Sequence, residues 1–183
     1  VRSRGLGDVY KRQNSGSVTQ TVTQNSTDVA ALKFTNGTFG SDSGGVYAQW
    51  GLNEIELLSQ GNGGYAIEGS GAITALVTGS GDVTFADGEI EIGGSGVNTY
   101  TGKTFVTGAD VTLTKNEALG DTSNLAISSG SVAFGNTQQT IGAMNVGESG
   151  AFSMMSGGKV TLSQASKIAN DNTNCLLYTS DAA

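Results

Sequence analysis

Apolar and polar residues alternate along most of this chain in runs of only three to five, and a cluster of Gly, Asn, Asp or Ser closes nearly every run. From Gly61 the pattern is tight. Tyr65 and Ile67 alternate, then Ile73, Ala75 and Val77, then Val83 and Phe85, then Ile90 and Ile92, with turn signals at Gly61–Gly64, Gly69–Gly71, Gly79–Asp82 and Ala86–Gly88. After Asn98–Gly102 (NTYTG) come Thr104 and Val106, Val111 and Leu113, Leu125 and Ile127, and Val132 and Phe134. Ile141, Met144 and Val146 follow, then Phe152 and Met154, then Val160 and Leu162. A period of two is the periodicity of a strand whose side chains point alternately in and out.

The pattern also recurs over longer distances. Runs beginning GADVTL, GSVAF and GAFSM start at Gly108, Gly130 and Gly150, spaced 22 and 20 residues apart. Self-similarity near 20 residues with very short strands points to a β-solenoid, whereas a β-sandwich with turns every ~8–12 residues uses longer alternating strands. In a solenoid the inward Val, Ile, Leu and Phe stack on equivalents one rung away. Thr, Ser, Asp, Glu and Asn face outward, and Gly and Asn take the φ > 0 corners. At two or three strands per rung, residues 14–174 make roughly seven or eight rungs.

The first third is less regular. Asn14–Thr27 reads as a strand pair or a frayed edge, and Val29–Phe39 as an apolar run carrying the turn signal Asn36-Gly37. Asp42–Gly45 reads as a loop. Val46–Leu58, with the only Trp, reads as a strand pair or a short helix, and Ser163–Asn170 is a second candidate helical turn.

Composition supports an ordered β-protein with many turns. Of 183 residues 29 are Gly, none is Pro or His, and only 14% are charged. The ends differ from the middle: Arg2, Arg4, Lys11 and Arg12 lie within the first 13 residues, and no Arg occurs between Asn14 and Asn174. Asp8–Gln13 can be encoded as GAT GTG TAT AAG AGA CAG. The reverse complement, shifted one base, encodes Cys175-Leu176-Leu177-Tyr178-Thr179 and the start of Ser180. Both ends resemble translations of one inverted repeat, the transposon adapter of sequencing libraries. Residues 1–13 and 175–183 are therefore set aside from fold reasoning, leaving 14–174 as the genuine segment, which contains no Cys.

The net charge of −7, more negative still without the terminal segments, argues against nucleic acid and against docking on an anionic membrane. No run approaches the roughly 18 apolar residues of a membrane-spanning helix, so direct membrane insertion of this segment is not expected.

Gly93–Val146 (GGSGVNTYTGKTFVTGADVTLTKNEALGDTSNLAISSGSVAFGNTQQTIGAMNV) resembles the passenger-associated repeat of bacterial autotransporters. The matching elements are Asn98–Gly102 with Thr104, Val111 and Leu113, Ala118–Asp121, Val132 and Phe134, and Gln139–Gly142. The likeness is clearest over 93–162 and looser from Gly61. Lys103 departs from the Gly or other small residue usual in the family. The resemblance implies an all-β, right-handed parallel β-helix, here an internal piece of a secreted, outer-membrane-anchored passenger with a translocator barrel downstream. It implies a cell-surface or extracellular location and a surface receptor, glycan or neighbouring cell as partner.

Candidate chemistry is sparse. Gly102-Lys103-Thr104 resembles the end of a phosphate loop, but Val97 stands where that motif needs Gly, and a β-pattern follows where it needs a helix. Asp82 and Asp87 lack the tandem nonapeptide of calcium-binding β-rolls. Glu89 and Glu91 share one strand face, as a carboxylate pair for glycoside hydrolysis would, though solvation and edge protection explain them more simply. Lys103, Lys115 and Lys159 read as solvated side chains. Without His, Ser-based hydrolysis lacks its usual base. Tyr47, Trp50 and Tyr65 suit packing better than a sugar-stacking patch. The sequons at Asn25 and Asn36 carry no weight in an Asn/Thr-rich chain, and Val111–Thr114 (VTLT) is too isolated for a flat ice-binding face.

No catalytic, cofactor-binding or metal-binding residue is therefore expected. The leading expectation is a non-enzymatic scaffold with an adhesive or aggregative role. The alternative is a carbohydrate-active enzyme on the same rod, which requires carboxylates such as Asp82, Glu89, Glu91 and Asp110 to converge from different rungs.

Overall fold

Glycine corners bend the short alternating strands of this chain into coils that stack on one another. The computed structural model describes residues 17–24, 26–42, 45–58 and 64–168, and the two terminal segments 1–13 and 175–183 lie outside them. Fourteen strands and no helix are found among the described residues. They are β1 (Ser17–Gln24), β2 (Thr27–Asp42), β3 (Gly45–Leu57), β4 (Tyr65–Ile67), β5 (Gly71–Ile73), β6 (Leu76–Gly79), β7 (Val83–Phe85), β8 (Glu89–Ile92), β9 (Thr104–Leu113), β10 (Asn124–Ala133), β11 (Gln138–Ile141), β12 (Ala143–Ser153), β13 (Lys159–Leu162) and β14 (Lys167–Ile168).

From β4 onward every pairing is parallel, the mark of a solenoid of about 5 turns. One face stacks β4, β7, the first half of β9, the first half of β10 and the first half of β12, with β14 last. A second face stacks β5, β8 and the second halves of β9, β10 and β12. The third begins with β3 against β6, continues through Asn98–Thr101, whose Thr99 and Thr101 amides donate to the Val77 and Gly79 carbonyls, and ends with β11 against β13. Successive coils bring Val111, Val132 and Phe152 into register, 21 and then 20 residues apart, as the spacing of the Gly-led runs anticipates.

Alternation places one column of side chains inside each face. Phe85, Val106, Ile127 and Val146 form one such column, and Ile90, Val111 and Val132 another, all buried. Each fully buried Val, Ile, Leu or Phe contributes about 1.5–3 kcal/mol relative to exposure. The stacked columns make a single core running through the coils. A void among the core residues Ile55, Val77, Phe85 and Tyr100 measures about 10 Å³, at the lower limit for one water.

The N-terminal part corrects the expected rung count. Residues 17–57 do not coil. β1, β2 and β3 form an antiparallel sheet, and only β3 passes into the stack, by pairing in parallel with β6. The open choices also resolve: Gly45–Leu57 is a strand throughout, and Ser163–Ile168 holds a bend and the short β14. Asn36-Gly37 does not turn the chain. It lies inside β2, where the pairing with β3 slips between Thr35 and Thr38, so the extra residue makes a bulge. The antiparallel pairing runs out to Asp42 and Gly45, and residues 43–44 of the expected loop Asp42–Gly45 lie outside the described residues.

Two glycines show what the stacking demands. A Cβ on Gly102 would lie 1.9 Å from the Gly81 carbonyl oxygen of the coil below, whereas Gly69, at φ +91°, has open space around it. Gly102→Ala should therefore cost about 1–3 kcal/mol of unfolding free energy through overpacking. Gly69→Ala should cost about 1 kcal/mol, from backbone conformation alone. Thermal or urea unfolding of the full chain checks the pair. Equal losses would mean that close coil contact is not what fixes Gly102.

Candidate functional site

Two polar constellations stand out, one on the surface and one inside. The first lies on the second face. β8 alternates Glu89 and Glu91 outward with Ile90 and Ile92 inward, because a strand over a packed core has one wet side. Register places Asp110 beside Glu89 and Thr112 beside Glu91 on the next coil. With Ser70, Gly71 and Ala72 these residues line a shallow open groove of about 600 Å³. Glu91 accepts a hydrogen bond from Thr114 Oγ1 at 3.0 Å, and Asp110 accepts one from Ser131 Oγ at 2.7 Å, so both are tied to neighbouring coils.

Three of the four carboxylates named from sequence are thus brought together. Asp82 is not among them. It sits at a corner and accepts the Lys103 amide at 2.8 Å, which accounts for the Gly102-Lys103-Thr104 turn without any phosphate. No group of three or more His, Cys, Asp or Glu is placed to hold a metal ion among the described residues.

The second constellation is the NTYTG corner itself. Asn98 is buried, and its side chain works across three coils. Its Oδ1 accepts the Val77 amide at 3.0 Å and Lys115 Nζ at 2.9 Å, while its Nδ2 donates to the Ala118 carbonyl at 2.6 Å. Tyr100 is buried with its hydroxyl 2.8 Å from Thr104 Oγ1, which lies 3.0 Å from Thr122 Oγ1, which donates to the Gly102 carbonyl at 2.7 Å. Two coils on, Gln139 serves in a similar way: its Oε1 accepts the Leu119 amide and its Nε2 donates to the Lys115 carbonyl and to Thr137 Oγ1. No buried side-chain nitrogen or oxygen lacks a partner among the described residues. Such complete satisfaction lets polar groups occupy a core without the cost of a stranded donor or acceptor.

Two sequence expectations are corrected here. Asn98 does not supply a φ > 0 corner: the only non-glycine residues with positive φ among those described are Ser26 and Glu117. It serves through its side chain. Lys115 is not a solvated side chain but is 9% exposed, with its amine on Asn98. Burial holds that amine below the ordinary lysine value, and burial also raises the Tyr100 phenol. Single-sequence reading missed this node because Asn, Lys and Tyr in a Gly-rich run look like turn residues. The one available signal was that Asn98, Tyr100 and Thr104 keep the inward parity of the neighbouring Val and Ile.

Elsewhere, Lys33 bridges Glu54 and Glu56 at 2.9 and 2.8 Å on the outer side of β2 and β3, and Glu54 also accepts Thr78 Oγ1. That Thr78 bond and Lys33 lower the Glu54 carboxyl. Tyr65 is half-buried against the core. The side chains of Tyr47 and Trp50, and the whole of Asn25, lie outside the described residues.

These features define an all-β solenoid with a closed polar-and-apolar core and a carboxylate-lined outer groove. No family model matches the chain, and no solved structure matches it. A stretch of 99 residues, 50% of this chain, is 29% identical to the protein named Uncharacterized protein YuaQ of Escherichia coli (strain K12). That stretch spans 7% of the relative's length.

The interior node generates a stability prediction. Asn98→Leu removes the partner of Val77 N–H, Ala118 C=O and the Lys115 amine together, and should cost roughly 3 kcal/mol. The Lys115 amine also gives a pH dependence. Its folded value is depressed, so the unfolded chain binds more protons between that value and the ordinary 10.5. Stability should therefore rise with pH through this window and be lost as pH falls through the folded value. The raised Tyr100 phenol acts oppositely, but only above about pH 10, where the unfolded phenol ionises. Urea unfolding between pH 7 and 10 should show the rise in the unaltered chain and a flatter profile in Lys115→Met. An unchanged slope in that variant would contradict the assignment.

Proposed function

We propose that this chain is part of a secreted bacterial surface passenger of the autotransporter type, acting as a β-helical scaffold that contributes to adhesion or aggregation. The observation that carries this reading is the division of labour in every coil. Inward positions build one continuous core, and outward positions present Thr, Ser, Asn, Asp and Glu. Such a rod holds whatever it carries away from a surface, and its contacts with a receptor, a glycan or a neighbouring cell are made along its sides. The NTYTG, ALGD and QTIG elements that resemble the passenger-associated repeat lie at or beside the third face, where Asn98, Tyr100, Ala118 and Gln139 close the coils. The translocator barrel of the parent protein belongs to this proposal.

The test is location. Antibodies raised against the folded chain should label intact cells that express the parent gene, and protease treatment of those cells should remove the label. Labelling that appears only after permeabilisation would refute the surface reading.

A second reading, a carbohydrate-active enzyme, draws on the carboxylates Glu89, Glu91 and Asp110 converging from two coils. The scaffold reading expects no depolymerisation of acidic or neutral polysaccharides by the chain, followed as new reducing ends or unsaturated products. Turnover by the unaltered chain that is abolished by Glu91→Gln and by Asp110→Asn would transfer the argument to the enzyme.

A further inference from the structure

β1 is the outermost strand of the sheet that opens the stack, whose order is β1-β2-β3-β6. Among the described strands it pairs with β2 alone, so its other side presents main-chain donors and acceptors without a strand partner. Thr19, Gln20, Thr21 and Thr23 are exposed, while Val22 packs half-buried against the core.

Natural sheets blunt such an edge with charge, proline, a bulge or shortness. β1 has none of these. Its eight residues, SVTQTVTQ, carry no charge and no proline. The irregularity in its ladder lies in β2: Val22 faces Ala30 and Thr23 faces Asp28, so Val29 is the extra residue and β1 stays regular. β5, β13 and β14, which also end their ladders, have only three, four and two residues, and the last two carry Lys159 and Lys167. β4, of three residues, ends the first face, and there the Gln24 side chain holds the Ala66 amide and carbonyl at 2.9 and 3.0 Å.

The sequence of this edge also reads alike in both directions. Ser17–Thr23 is S-V-T-Q-T-V-T, symmetric about Gln20 apart from Ser against Thr at its ends. An antiparallel pair made by two copies of β1 about a two-fold axis at Gln20 therefore sets Gln20 opposite Gln20, Thr19 opposite Thr21, Val18 opposite Val22 and Ser17 opposite Thr23. Like meets like at every position. Cross-strand Thr pairs stabilise a sheet, and an interface between identical copies requires such self-complementarity. Charge permits the pairing as well. The charged neighbours of β1 are Asp28 and Lys33 of β2; Asp28 accepts Thr23 Oγ1 at 2.7 Å, and Lys33 bridges Glu54 and Glu56. In the paired sheet the two β2 strands stand roughly 14 Å apart, beyond the ~8–10 Å over which exposed charges act at physiological salt.

We propose that the free edge of β1 is a homodimerisation surface, which takes β1 of a second copy of this chain in an antiparallel pair centred on Gln20. The sheet β6-β3-β2-β1 then continues into its symmetry mate, and the two rods meet end to end. The main-chain groups of both edges are satisfied together, and Val18 of the second copy comes beside Val22. One pair of strands buries less than the ~1,200 Å² of the smaller stable interfaces, so association should be weak, with a dissociation constant of roughly 10–100 μM. The inference goes beyond the surface reading and does not depend on it.

Sedimentation of the purified full chain across that range, in reductant so that Cys175 forms no disulfide, should show a monomer–dimer equilibrium. Amide exchange at Ser17–Thr23 should slow about fivefold in the dimer, with exchange at Val106 unchanged. Gln20→Lys sets like charges directly opposite each other and should weaken self-association about tenfold, as should Gln20→Glu. Mixing the two variants should restore dimers, because a residue on the axis meets its own counterpart. Gln20 is exposed, so neither variant should move the thermal unfolding midpoint of the monomer. A chain that stays monomeric would overturn the proposal, and so would dimers indifferent to Gln20→Lys. Dimers lost in both variants and not restored on mixing would place the axis elsewhere and overturn it too. Protection of Ser17–Thr23 that does not change with concentration would make another segment of the same chain the cover, with the same consequence. Cell labelling tests surface location separately, so the two readings fail independently.

Discussion

Parallel pairing between successive coils is the constraint on which everything else in this molecule depends. A strand of three or four residues has too few hydrogen bonds and too little apolar surface to persist alone. It survives because each coil returns the chain to the same register about 4.8 Å along the axis, where its amides and carbonyls meet those of the coil before. That return must be repeated in roughly 20 residues with three changes of direction. Gly102 shows the tolerance involved: its α-carbon lies so close to the Gly81 carbonyl that no side chain fits. The glycine content follows from this approach of backbone to backbone as much as from turn conformation.

The same constraint explains why polar residues line part of the core. Along the third face some amides and carbonyls meet a side chain rather than the backbone of the neighbouring coil. Asn98 reaches Val77 on one side and Ala118 on the other, and two coils later Gln139 satisfies the Leu119 amide and the Lys115 carbonyl of the coil before it. The longer Gln side chain serves where the chain at Glu117–Asp121 departs from extended geometry, with Glu117 at φ 48°. Lys115 then enters as a consequence. Its amine needs an acceptor, which Asn98 already presents. The cost of holding an amine there falls on its protonated form, hence the depressed value.

How much of this was legible in the sequence depends on which interaction encodes it. The solenoid was legible because two-residue alternation and a 20-residue recurrence are both local signals, and Val111, Val132 and Phe152 fall into register as their spacing implies. The antiparallel start was not, because β1 and β2 alternate over as short a range as the coils, and periodicity does not tell an antiparallel from a parallel partner. Asn36-Gly37 misled for a related reason: a turn dipeptide inside a long paired strand is absorbed as a bulge. On the surface, the shared face of Glu89 and Glu91 could be read from parity alone. The approach of Asp110 could not, since it comes from the next coil and depends on a register known only once the coils are stacked.

That difference bears on what a rod of this kind can do. Alternation separates the two sides of each strand, so outward residues are free of the packing that fixes the inward ones, and any outward position can gather with its counterparts on neighbouring coils at the spacing of the stack. Groups so gathered form ladders along a face, and a ladder suits an extended partner better than a small one. The groove containing Glu89, Glu91 and Asp110 is open and shallow, and two of its carboxylates are tied to hydroxyls of the next coil. Here all three stand on the wet side of a strand. The alternation that buries Ile90 and Ile92 is what gathers them there.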